Sequence, residues 1–439
     1  MAFTVGIARY EKPYEAVRLA VELSGGLPKL GHNARVFIKP NVVTWVPGGV
    51  FPKWGVLTTS RVAEDVVKLL KDAGVGQISI GEGIVVAGAG RREITEEAFR
   101  SLGYYQLKER YGVNLIDVFD RPFKSVEIAE GVTLNFNVDA LESDLIVDLP
   151  VLKTHAQTVV SLGIKNLKGL IDIPSRKRCH SRSDGRDLHF YVGRLFLGLP
   201  PVWTLIDGIF SNERGPGFDG MAKRMNLLIA SQDLLSADKV GATILGYRPA
   251  EVPHLVHACE ALKRPLDLSD VELAGEKLEN LITPHHYSFD YNQDNSLPLV
   301  MEKIGIKGIS YWKYDDTLCT YCSFLNGVIL TAIARAWKGN PWDDVEVLTG
   351  KAMNPSGTKK HTILLGKCMS ELHRDNPSIR HAVFVKGCPP KPKEVVKAFQ
   401  EVGIELDMSI FEHPEHYAAR FLKKYEGKPE FDEAFFKLE

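Results

Sequence analysis

The densest chemistry in this sequence follows Leu149. Lys153, Thr154 and His155 come first, then Ser161, Lys165, Asn166 and Lys168, with small or apolar residues such as Val159, Val160 and Ile164 between them. No Asp or Glu occurs between Lys153 and Gly169, so the stretch offers several donors and no carboxylate to neutralise them. Such a set suits a small anionic ligand bearing a carboxylate or phosphate. Any one of these lysines, taken alone, is better read as a solvated rim residue; the grouping is what carries the inference. Lys153, His155 and Lys165 are the candidate catalytic residues, with His155 the proton donor because imidazole titrates near neutrality.

Other short motifs have the same character. Apolar runs are followed by Lys39-Pro40-Asn41, by Gly81-Glu82-Gly83 and the small-residue loop 85–90, by Asp207-Gly208-Ile209, and by Ser231-Gln232-Asp233. Convergence of several such loops at one sheet edge is hard to explain as turns alone, and the crevice outside strand C-termini is where open α/β sheets bind ligands. Lys39, Asn41, Thr154, Asn166 and Lys168 are therefore candidate ligand-binding residues, and Glu82, Asp207 and Asp233 candidate bases or ligands of a divalent cation. A basic insert over 174–190 reads as a solvated loop, or alternatively as a flap over the anion site.

Four of the six cysteines form a second constellation. Cys319 and Cys322 open a helical pattern, while Cys368 and Cys388 each follow an apolar run and a glycine, Gly366 and Gly387. Thiolates near a helix start and at two strand ends can surround one soft metal centre. Pro389 after the last cysteine matches the Cys-Pro ending of ferredoxin-type ligand sets, which favours a [4Fe-4S] cluster. Zinc is the competitor, although it more often takes two close pairs. Cys179 and Cys259 have no such setting.

The elements that must position these groups follow from hydrophobic periodicity. Helical patterns at Tyr14–Leu23, Thr58–Ala73, Glu93–Leu102 and Leu234–Leu245 alternate with strand patterns at Arg35–Ile38, Gln77–Ile80, Val113–Phe119, Asp144–Leu149, Trp203–Ile206 and Asn226–Ala230. This predicts an α/β fold: a mainly parallel, doubly wound sheet over residues 1–300, and a smaller α/β domain over 301–439. Pro150 is expected to end its strand, leaving Lys153–His155 in a loop.

With 44% apolar residues, 25% charged residues and a net charge of −1, nothing global draws the chain to nucleic acid or membrane. The expected setting is the cytoplasm, since the N-terminus lacks a signal-like apolar core and no run reaches the ~20 apolar residues of a membrane span. P-loop, nucleophile-elbow and ordinary dinucleotide motifs are missing, which disfavours nucleotide kinases, serine hydrolases and standard nicotinamide enzymes.

IKPN (38–41), GEG (81–83), LPVLKTH (149–155), GIKNLKG (163–169), His180 after its basic run, DGI (207–209) with GPGFDG, and SQD with Asp238 together resemble the family catalogued as domain of unknown function 362, over roughly residues 4–250. The resemblance adds His180 to the ligand-binding set. It also implies an anaerobic setting and a partnership with [4Fe-4S] modules, although the compact ferredoxin repeat is missing here. GCPPKPKEVVKAF is instead similar to the cluster-binding loop of the small iron–sulfur subunits of complex I and nickel-iron hydrogenases. The expectation is an iron–sulfur oxidoreductase acting on a small anion, with a redox protein as a further partner. A non-redox isomerase or lyase with a structural cluster, and an electron carrier or assembly factor, are the alternatives.

Overall fold

Strand residues in the first 300 positions bury both faces, as a sheet covered on each side requires. In the computed structural model, which describes residues 2–85 and 91–439, Val36 and Ile38 enter one core cluster and Phe37 the other. Likewise Leu145, Val147 and Leu149 face one side and Ile146 the opposite side.

The strands of this sheet are β1 (Phe3–Arg9), β2 (Arg35–Pro40), β3 (Gln77–Glu82) and β4 (Asn114–Asp117), then, after a separate hairpin of β5 (Phe123–Ala129) and β6 (Val132–Asn137), β7 (Leu145–Leu149), β8 (Val151–His155), β9 (Val159–Val160), β10 (Val202–Glu213), β11 (Met221–Ser231) and β12 (Val271–Gly275). Their order is β12-β1-β11-β10-β7-β2-β3-β4, with β8 paired to β10 and β9 to β8. Most pairs are parallel, but β11 runs antiparallel to both β1 and β10, so the sheet is mixed. A second, all-parallel sheet follows: β13 (Ile309–Tyr311), β14 (Val345–Leu348), β15 (His361–Leu365) and β16 (Ala382–Val385). The larger core cluster runs from the first sheet into the second. The C-terminal segment then returns to the first sheet, where Tyr425 and Phe431 pack on Trp54, and Glu433 pairs with Lys53 at 2.9 Å.

Three expected boundaries are corrected. Pro150, having no N–H, interrupts the ladder, but the chain resumes at once as β8, so Lys153, Thr154 and His155 lie on a strand and not in a loop. β10 continues through Asp207-Gly208-Ile209 to Glu213 as one arm of a long hairpin. The basic insert is only in part a solvated loop: it contains helix Ile173–Arg178 and buries Arg176, Cys179 and His180, while residues 182–185 are exposed. Residues 86–90 of the small-residue loop lie outside the described residues. Among the described residues, no helix is long and apolar enough to cross a membrane.

Candidate functional site

On β8 successive side chains point to opposite faces, which puts Lys153 and His155 on a cavity and turns Thr154 away from it. The Thr154 hydroxyl donates to the His286 and Asn212 carbonyls, a structural role that removes it from the ligand-binding set. The cavity, about 230 Å³, is lined by Asn41, Glu82, Lys153, His155, Lys165, Asn166, Lys168, Arg176 and His180 from the first sheet and its connections. From the other side it is closed by helix Thr320–Ala336, which Cys319 caps.

Lys39 and Glu82 pair inside this edge at 2.7 Å, with Glu82 also accepting the backbone N–H groups of Val42 and Gly83. Gly169 is required here: a Cβ would stand 2.5 Å from Glu82 Oε1 and 2.7 Å from Lys39 Nζ. Asn166 knits the edge together, accepting from Asn41 at 3.0 Å and donating to the Lys39 carbonyl and to Asp148. Lys39 is thus neutralised in place and is not a free anion donor, a correction to its expected role.

Lys153 differs. Its ammonium, 1% exposed, meets only neutral oxygens, Asn41 Oδ1 at 2.5 Å and the Val56 carbonyl at 2.7 Å. Burial pulls its pKa down to about 7 and that of Lys168 down to about 8. Lys165, partly exposed on the cavity, is driven well below the ordinary lysine range by desolvation and then by Lys168 and Lys153. Desolvation penalises a buried charge that lacks a partner. Arg176 is buried as well, but its guanidinium is held by the carbonyls of Ile171, Gly83 and Gly169. Asp219, the other carboxyl on the lining, is pushed up by burial.

The two histidines carry opposite tautomers. His155 Nδ1 accepts the Gln157 N–H at 3.1 Å, which places the proton of the neutral ring on Nε2, 3.3 Å from Lys165 Nζ. His180 Nδ1 donates to the Asp316 carbonyl at 2.6 Å, leaving Nε2 to accept from Lys168 at 2.6 Å. Burial first, and the neighbouring lysines second, hold both imidazoles neutral. The same contacts tie the cavity to the segment before Cys319: besides the His180–Asp316 bond, the Gln157 amide donates to the Asp315 and Leu318 carbonyls at 2.9 and 2.8 Å.

Asp207 and Asp233 do not join the site. Asp207 accepts from the backbone and hydroxyl of Thr59, the N-cap of helix Ser60–Asp72. Asp233 caps helix Leu234–Ile244 and pairs with Arg264 at 2.7 Å. With Glu82 engaged by Lys39, the three expected carboxylates do not converge on a divalent ion. Conversely, Arg176, Gln157, Phe218, Phe324 and Tyr417 line the cavity without having been expected there. Thr320, Ser323, Phe324 and Gly327, spaced as one helical face, are the signal that could have revealed the far wall.

All six cysteines are free. The neighbouring Cys322 thiol is the largest cause that lowers the Cys319 pKa to about 5. Cys322 Sγ lies 4.0 Å from where a Gly366 Cβ would be, and its charge environment includes Cys368 and Cys388. β15 and β16 therefore present their cysteines beside the helix start, with Cys319 buried and Cys388 exposed. Cys179 and Cys259 sit in the other core cluster.

A thylakoid-associated protein, sll1697, of Synechocystis sp. (strain ATCC 27184 / PCC 6803 / Kazusa) is a distant homologue, 27% identical over 264 residues that span 58% of this chain and 78% of that protein. Among solved structures, the lactate racemase apoprotein of Thermoanaerobacterium thermosaccharolyticum aligns at 15% identity with a TM-score of 0.32, over 55% of this chain and 56% of that one. A Thermotoga maritima protein from a structural genomics consortium aligns at 12% identity with the same TM-score, over 91% and 92%. Residues 36–243, which hold the cation-lined edge, match the family described as a domain of unknown function, DUF362.

Proposed function

We propose that the protein is an iron–sulfur oxidoreductase that binds a small organic anion at Lys153, Lys165 and Lys168 beside one [4Fe-4S] cluster held by Cys319, Cys322, Cys368 and Cys388. The observation that carries the anion site is the set of cavity lysines without carboxylate partners, next to a Lys39–Glu82 pair that has one. An entering anion would supply the missing counter-charge and let these amines regain their protons.

The donor set supports the cluster. It comprises two cysteines at a helix start and one after each of two adjacent parallel strands, with a glycine close to Cys322 Sγ. When bound, such a cluster supplies or accepts single electrons. The chain's own residues bind and orient the anion and move protons, with His155 Nε2–H and the Lys165 amine as the relay nearest the ligand. Exposed Cys388 marks the side from which a redox partner would approach.

Protein purified without oxygen should carry about four irons and four sulfides per chain. Cys319→Ser, Cys322→Ser, Cys368→Ser and Cys388→Ser should each lose or weaken the cluster, whereas Cys179→Ser and Cys259→Ser should not. Stoichiometric zinc without iron would overturn the cluster assignment. The opposed His155 and His180 tautomers favour a second reading, an isomerase or lyase with a structural cluster. Turnover that leaves the cluster's electron paramagnetic resonance spectrum unchanged would select it.

A further inference from the structure

The two walls of the cavity are chemically unlike. Besides the lysines, the cavity is lined by Phe218, Phe289, Tyr314, Phe324 and Tyr417. The Phe218 ring lies 6.4 Å from Phe324 and 6.1 Å from Tyr417, both in edge-on geometry, so three of the rings form one aromatic patch. Phe289 and Phe324 are each 38% exposed although both line the cavity. Space is kept open at Gly327, where a Cβ would stand 3.2 Å from the Tyr417 hydroxyl, tighter than ordinary packing.

Inorganic phosphate or a two- or three-carbon acid would engage the lysines and leave these rings facing water. Open ring faces opposite a few convergent polar groups are the usual make-up of a site for a partly apolar ligand. We propose that the ligand is an aromatic organic acid, its anionic head on Lys153 and Lys165 and its ring against Phe324 and Phe289. This rests on the anion-site reading above and names the part of the ligand that reading leaves open. The head is a carboxylate or a phosphate monoester, both of which lysine ammonium groups hold as point charges.

The test is calorimetric titration of the anaerobically purified full-length protein with two matched pairs: phenylpyruvate against pyruvate, and phenyl phosphate against inorganic phosphate. The aromatic member should bind about tenfold tighter or more in at least one pair, and the pair that binds more tightly identifies the head. Phe324→Ala, a change at a half-exposed side chain, should reduce that preference to about threefold or less while leaving the affinity for pyruvate or phosphate unchanged. Phe289→Ala should act in the same direction. Equal affinities within both pairs, or a preference that survives both substitutions, would overturn the aromatic assignment and leave the anion site standing. Failure of all four probes to bind would overturn both.

Discussion

Lys39 and Lys153 stand at one sheet edge, linked through Asn41 and Asn166, and both are almost fully removed from solvent, at 0% and 1% exposure. Their surroundings differ in one respect. Lys39 meets the Glu82 carboxylate, whereas Lys153 meets two neutral oxygens. A buried charge with its partner is part of the scaffold; a buried charge without one awaits a ligand or gives up its proton. Position alone, at the C-terminal edge of the strands, does not separate the two roles.

The sharpest way to break this comparison is Glu82→Gln, which leaves Lys39 buried and uncompensated. Unfolding by urea should report a loss of about 3–5 kcal/mol. A loss below about 1 kcal/mol would mean the pair is not what holds this edge. Lys153→Met should do the opposite, leaving the stability of the ligand-free protein unchanged or raised, because the change removes a desolvated amine. Anion affinity in the same variant, read by calorimetry, should fall about 30-fold or more, the equivalent of ~2 kcal/mol. If both variants lose stability alike, the distinction between scaffold and site disappears.

The pH dependence of binding sharpens it further. Burial lowers the folded pKa of Lys153 to about 7 from 10.5, so the folded protein releases this proton before the unfolded chain does. Between those values the unfolded state binds more protons, and this group's contribution to stability rises with pH. Binding an anion restores the proton. Affinity should therefore decline from about pH 7 upward, by at most about tenfold per pH unit for one coupled amine, with proton uptake visible as a buffer-dependent binding enthalpy. The decline should vanish in Lys153→Met; if it persists there, another amine controls it. The smallest effect is expected at Asp233, where Asp233→Ala removes a helix cap and should lower stability by about 1–2 kcal/mol. Anion affinity should not move, in keeping with its distance from the cavity chemistry.

The legible and illegible parts of this chain divide along physical lines. The apolar run Leu145–Leu149 announced a buried strand, and the cysteine spacing placed thiols at a helix start and two strand ends, as found. Thr154 was misjudged because the strand resumes after Pro150, and period-two alternation then parts it from Lys153 and His155. Glu82, Asp207 and Asp233 all follow apolar runs in the sequence, but their partners are Lys39, Thr59 and Arg264, 43, 148 and 31 residues away. A carboxylate's role depends on whether its charge is already met, and that depends on contacts no local pattern encodes.

Residue types and their spacing were enough to establish an α/β chain with a cation-rich strand edge and cysteines at a helix start and after two strands, because side-chain periodicity and the lack of nearby carboxylates are local properties. Which lysines lack a carboxylate partner, which tautomer each histidine holds, and that aromatic rings from residue 218 onward line the same cavity as the lysines were decided by the fold. Each depends on groups brought together from distant parts of the chain, where desolvation and a single hydrogen-bond partner outweigh any intrinsic preference of the residue.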